Sequence, residues 1–170
     1  MGASEWMIFA KYQPDIEKLI HQLQDEAFRR GGYYNTWKYQ LERFRNFGFD
    51  EYNPYEYDER YRLSEAEYEH YRTLSKPETV EDLVKIQADG GTHCIIDIDG
   101  VSLTPQYRMA TPVSEARLVG LFGTVKPTRT MVEALIPRFR DFIDGWMAVF
   151  VILYNGENPD EVFLYGITGD

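Results

Sequence analysis

The chain has 170 residues, 44% of them hydrophobic and 27% charged. That suits one globular domain, which at this size buries roughly 70% of the surface its unfolded form exposes. A formal net charge of -10 opposes binding to nucleic acid or anionic lipid, and a single cysteine excludes an intramolecular disulfide.

The first residues, "MGASEWMIFAKYQPD", lack the basic-then-apolar pattern of a secretory signal. The longest apolar run, "WMAVFVILY" at 146–154, has nine residues, far short of the about 20 a membrane helix needs. A cytoplasmic location without membrane contact is the expectation.

"EWMIFAKY" (5–12) reads as a strand. Asp15 caps a predicted helix to about Arg30, with Ile16, Leu19, Ile20, Leu23, Ala27 and Phe28 on one face and Gly31 as the stop. Residues 33–74 hold nine of the thirteen tyrosines. A helix is expected there from about Thr36 to Phe47, then an irregular loop, then a short helix capped by Ser64 and Glu67. With few small aliphatic residues, 35–75 is expected to be a Tyr-rich insertion or lid. A capping box of Ser75 and Glu78, with Pro77 in the first turn, predicts the helix "PETVEDLVKIQ", stopped by "ADGG".

"THCIIDID" then reads as a strand, followed by a loop with a second short strand around Tyr107 to Ala110. Ser114 opens a short helix that Gly123 ends. "RTMVEALIPRFRDFID" predicts a helix that Pro137 kinks or weakens. "WMAVFVILY" is a central strand, and "EVFLYGITG" returns antiparallel after the turn "NGENPD". This order does not alternate as a doubly wound fold does. The expected class is α+β: one domain, a mostly antiparallel sheet of four or five strands with a C-terminal hairpin, covered by helices.

The stretch "CIIDIDG" (94–100) raises the question of phosphoryl transfer. In that alternative Asp97 attacks phosphate, Asp99 is general acid and base, and Mg²⁺ neutralises the phosphate. Thr124, Lys126 and Asp170 mimic the remaining groups. Three features weigh against it. Only 71 residues follow Asp99, the two clear strands among them form a hairpin, and Asp170 is the last residue. The favoured reading puts Asp97 on a partly exposed strand face and Asp99-Gly100 in a turn.

His93 and Cys94, adjacent on that strand, should point to opposite faces, so neither a shared metal nor a Cys-His pair is expected. No other spacing suggests a metal or cofactor site. Gly90 and Gly91 follow a helix rather than open one, which argues for a turn and not a phosphate loop. The aromatics of 33–74 are interleaved with six basic residues, but nine acidic ones make the segment net -3, the wrong sign for a nucleic-acid groove. Tyr, Trp and Arg together also compose protein contact surfaces, which makes Tyr33, Tyr34, Trp37, Tyr52, Tyr55 and Tyr57 candidate partner-binding residues.

At "EAFRRGGYY" (26–34), "VEDLVKIQADGGTHCIIDI" (80–98), "LVGLFGTVKPTRTMVEAL" (118–135) and "EVFLYGITGD" (161–170) the chain resembles a family of small bacterial proteins of unknown function. The resemblance carries a "Gly-Thr-His" element and a "Leu-Phe-Gly-Thr-x-x-Pro-Thr" turn. It implies a compact intracellular α+β domain, no assigned activity, and a Tyr-rich stretch peculiar to some members. It adds His93, Thr124, Lys126 and Arg129 as candidate site residues beside Tyr33, Tyr34 and Asp170. The expected function is a non-enzymatic interaction or regulatory protein, immunity-like or adaptor-like, with a protein partner that is basic if charge selects it. The alternatives are a small hydrolase using Asp97, Asp99 and Lys126, or a ligand sensor closed by the Tyr-rich segment.

Overall fold

Strand β4 (Met147–Asn155) carries apolar side chains on both faces, and strand β5 (Asn158–Thr168) returns beside it through a short turn. A computed structural model describes residues 4–35, 73, 76–87 and 90–168. The chain divides into two compact units, residues 1–34 with 90–170 and residues 35–89.

The first unit holds five strands in one mixed sheet. Strand β1 (Ser4–Lys11) lies antiparallel to β5, from Ser4 opposite Thr168 to Lys11 opposite Glu161. Strand β3 (Met109–Pro112) lies parallel to β4, and β2 (Gly100–Val101) lies parallel to β3. The order is β1-β5-β4-β3-β2, so β4 is central, as its composition predicts. The class is α+β, with the long pairings antiparallel and the short ones parallel. A parallel return normally needs a crossover of a dozen residues or more. Here β2 is only two residues long, about 7 Å, so the loop Ser102–Arg108 suffices.

Alternation along the strands makes two cores. Val149, Val151, Leu153, Phe163, Tyr165 and Ile167 point to one face, where Leu118, Phe122 and Val132 pack on them. Ala148, Phe150, Val162 and Leu164 point to the other, with Trp6, Ile95 and Ile98. Helix α1 (Ile16–Arg30) covers that second face with Leu19, Ile20 and Leu23. Asp15 accepts from the Lys18 amide at its start, and Gly31 ends it in the left-handed conformation. Its predicted limits hold.

Helix α2 (Val80–Ile86) belongs to the second unit. Its capping box is Thr79 with Asp82, not Ser75 with Glu78, and Lys76 to Glu78 are not helical. The Thr79 hydroxyl and Asp82 carboxylate satisfy the amides immediately before the apolar Val80 and Leu83. Helix α3 (Glu115–Phe122) starts at Ser114 and ends at Gly123, as expected. Helix α4 (Arg129–Glu133) stops well before Pro137, and the chain continues as a 3-10 helix over Ile136–Phe142 with the proline near its first turn. The proline therefore ends the predicted long helix rather than kinking it, because its ring blocks a continuous ladder but suits a new N-terminus. The helices expected at 36–47 and around Ser64, with the insertion or lid, lie outside the described residues.

Gly166 of β5 sits under the Trp6 indole, which reaches across it to donate from Nε1 to Thr168 Oγ1 at 3.1 Å. A Cβ at 166 would come within 2.1 Å of the indole, and β4 lies on the other side of the strand. Gly166→Ala is therefore expected to lower stability by about 1–3 kcal/mol. Gly120→Ala, on an open position of α3, should raise it by about 0.5–1 kcal/mol. Urea midpoints moving in opposite directions check the pair.

Candidate functional site

The stretch "CIIDID" is not a strand. Ile95–Asp97 form one 3-10 turn, closed by the Asp97 amide to Cys94 O at 3.1 Å and the Ile98 amide to Ile95 O at 3.1 Å. The cause is a pair of polar side chains that offer this backbone partners other than a sheet. Gln24, buried on α1, donates from Nε2 to the carbonyls of Ile98 at 2.5 Å and Ile95 at 3.3 Å. Asp97 folds back so that Oδ1 accepts from the Thr92 amide at 2.7 Å and the Thr92 hydroxyl at 2.9 Å.

Asp97 is thus 2% exposed and does not lie on a partly exposed strand face. Burial follows from its role: the carboxylate closes the loop 92–97 from inside. Nor is Asp99-Gly100 a turn. The Asp99 amide donates to Arg108 O at 2.6 Å, and Gly100 begins β2. The exposed Asp99 carboxylate is held bidentately by Arg108, from Nε at 3.0 Å and Nη2 at 2.9 Å. Burial works against the Arg108 charge, but the bond and charge of Asp99, helped by Asp97, raise its pKa on balance.

Asp97 Oδ2 has no hydrogen-bond partner. It lies against Gly91, where a Cβ would come within 3.1 Å of it and 2.6 Å of the Trp146 ring. Gly91 has φ +68°, so both conformation and space require glycine. Three non-glycine residues around this loop are also left-handed: His93 (φ 58°), Arg108 (φ 59°) and Trp146 (φ 62°). Two of them are tied to each other, with the Arg108 amide donating to Trp146 O at 2.6 Å. Trp146 in turn donates to Ile167 O at 2.6 Å. Such conformations cost about 1–3 kcal/mol each and persist only where the surroundings impose them.

His93 and Cys94 are not neighbours on a strand, because His93 turns left-handed before the 3-10 turn. Its Nδ1 meets Ser4 Oγ at 2.7 Å, and its ring lies 4.9 Å from that of Tyr34. The Tyr34 amide donates to Thr92 O at 2.8 Å. Tyr33 stacks on Phe28 at 5.9 Å, and burial, with the nearby Cys94, raises its phenol pKa. Burial likewise pushes the Cys94 thiol up, only partly offset by a bond from Thr92 and the Ile96 amide. Tyr33, Tyr34, His93, Cys94 and Asp97 therefore gather around Thr92.

Lys126 and Arg129 do not join them. They lie at the hairpin end of β4, which spans about 30 Å from Met147. Lys126 pairs with Glu157 on the hairpin turn and lies 5.8 Å from the Tyr154 ring centre. Arg129 bonds Glu133 at 2.8 Å and Glu161 at 2.7 Å, with its guanidinium 4.1 Å over Phe9. Thr124 accepts from the Lys126 amide as a turn residue. The set Asp97, Asp99 and Lys126 is therefore not assembled, since one carboxylate is buried, one is held by Arg108, and the lysine is at the far end of the sheet. Trp37, Tyr52, Tyr55, Tyr57 and Asp170 lie outside the described residues. Among the described residues no three of His, Cys, Asp and Glu gather as metal ligands.

Gln24, Thr92 and Arg108 escaped the sequence reading, as did an exposed pair on the β2–β3 loop, Leu103 at 87% and Tyr107 at 64%. Tyr107 lies 5.8 Å from the Trp146 ring. Gln24 did leave a signal: it occupies the place four residues after Ile20 on the apolar stripe of α1. Comparison with known protein families, curated proteins and solved structures finds no match for this chain.

Asp97→Ala leaves the buried Thr92 amide without an acceptor and is expected to cost about 1–3 kcal/mol, read from the urea midpoint. Asp99→Ala leaves the largely buried Arg108 guanidinium without its bidentate partner and should cost about 1–3 kcal/mol. With its thiol pKa raised, Cys94 should be alkylated more slowly at pH 8 in the folded protein than in urea, and a faster folded-state reaction would contradict the burial described.

Proposed function

We propose that the protein is a non-enzymatic interaction or regulatory domain, immunity-like or adaptor-like, with a basic protein as partner. The observation that supports this most is the β2–β3 loop, where Leu103 and Tyr107 project from an acidic body beside Trp146 and the fixed Arg108. A lone exposed leucine is ordinary. Tyr107, 5.8 Å from the Trp146 ring and next in the chain to Arg108, brings together the three residue types that dominate contact hot spots. The net charge of -10 attracts a basic partner from a distance and sets its orientation, while the loop provides the contact.

The hydrolase alternative has less support. Asp97 is buried with Oδ1 on Thr92, the Asp99 carboxylate is paired with Arg108, and Lys126 with Glu157 at the far end of β4.

Two measurements test the proposal. The first is Mg²⁺-dependent hydrolysis over a panel of phosphomonoesters, comparing wild type with Asp99→Asn. No turnover above blank is expected, and turnover abolished by the substitution would overturn the proposal. The second places a photo-crosslinking amino acid at position 103 in growing cells. One discrete adduct with a basic protein is expected, lost when Tyr107→Asp is added. An adduct pattern indifferent to Tyr107→Asp would rule out this loop as the contact.

A further inference from the structure

We infer that β1 is a self-complementary interface, through which two copies of the chain pair edge to edge, antiparallel, about Ile8. β1 is the outermost strand of the sheet, bonded to β5 on one side only. The Tyr12 amide donates to Asp160 O at 2.9 Å, continuing the β1–β5 register by one step. Antiparallel ladders alternate, so Ala10, Ile8 and Trp6 also turn their backbone groups toward β5. Glu5, Met7, Phe9 and Lys11 turn theirs outward. Among the described residues nothing bonds those outward groups.

Among the described residues the edge is protected only by its charged residues, Glu5 and Lys11. No proline or bulge interrupts Ser4 to Lys11, and the register with β5 runs without a shift. Met7 is 47% exposed in mid-strand. Its side chain, with those of Glu5, Phe9 and Lys11, belongs to the face opposite α1.

The partner follows from the order of those four residues. A two-fold antiparallel pairing must place outward groups opposite outward groups, which allows only every second register. Pairing about Ile8 sets Glu5 opposite Lys11 of the second copy and Met7 opposite Phe9, each twice by symmetry. Centring on Met7 instead sets Glu5 against Phe9. Centring on Phe9 sets Lys11 against Met7. Only the Ile8 register matches both charges and both apolar residues. Arg140 Nη1 at 2.7 Å and Tyr165 OH at 2.8 Å hold the Glu5 carboxylate on that face, and Lys11 pairs with Asp160 of β5, so the charge contact between copies adds to pairs already made within each. Pairing makes two five-stranded sheets into one and covers Met7. It uses the edge opposite the β2–β3 loop, so it is independent of the proposed partner contact.

The full chain is examined by sedimentation velocity and by amide exchange at low concentration and at about 1 mM. A dimer is expected. The amides of Met7 and Phe9 should exchange at least about tenfold more slowly at high concentration, while those of Ile8 and Ala10 are slow at both. Lys11→Glu opposes like charges twice and should weaken dimerisation by about threefold or more, with Glu5→Lys/Lys11→Glu restoring it. Met7→Pro removes an outward donor and no β5 bond, so it should give a folded monomer. A protein monomeric at about 1 mM overturns the inference. So does a dimer whose Met7 and Phe9 amides stay fast, or protection that arises only when another protein is added.

Discussion

β4 and β5 have no polar face. A hairpin of that kind cannot lie on a surface, because each side of the pair would leave a row of large apolar side chains in water. Cover on both sides is therefore the requirement from which the architecture follows. α1 supplies it on one face, and the segment from Ser114 to Phe142 supplies it on the other. Since that second segment leaves from the end of β3 and returns at the start of β4, β3 and β4 must run parallel. The helical layer accounts for the parallel β3–β4 pair, and the short loop Ser102–Arg108 for the parallel β2–β3 pair, while the antiparallel half is made by a hairpin and a long closure.

The loop 90–99 fills what α1 leaves uncovered. Ile95 and Ile98 complete the core beneath the helix. Consecutive apolar residues cannot all point inward from a strand, so the chain turns, and the turn's backbone must then find partners without a sheet. Gln24 and Asp97 provide them from the two sides. The result is a buried carboxylate that organises structure, with left-handed residues where the loop meets β1, β3 and β4. These features cluster as they do at active sites, yet among the described residues Asp97 Oδ2 alone of the buried side-chain nitrogens and oxygens lacks a partner.

Much of the fold was legible. The caps of α1 and α3 are written in single residues, Asp15, Gly31, Ser114 and Gly123, whose chemistry is local. The hairpin was legible because a short turn between two apolar runs permits nothing but antiparallel return. The region around Asp97 was not. "CIIDID" has the composition of a buried strand, and what overrides it is a glutamine about 70 positions away on α1 and a threonine whose role depends on the turn itself. Composition reports that a segment is buried, but not the shape in which it is buried. The candidate site split for a similar reason. Lys126 and Arg129 stand near Asp99 in the chain, but a helical crossover and a whole strand separate them in space. The Leu103–Tyr107 loop was passed over because an exposed apolar side chain cannot be told from a buried one without the fold.

The closure of the sheet has a consequence for how the protein comes into being. Trp6 of β1 meets Thr168 of β5, and these residues are 162 positions apart. A ribosome adding about 5–20 residues per second finishes β1 and α1 roughly seven to thirty seconds before the strand they need exists. Until then β1 has no neighbour on either edge, and the apolar stripe of α1 has no sheet to rest on. β5 is the last of the five strands along the chain, so the earliest-made strand is the one that waits longest for its neighbour.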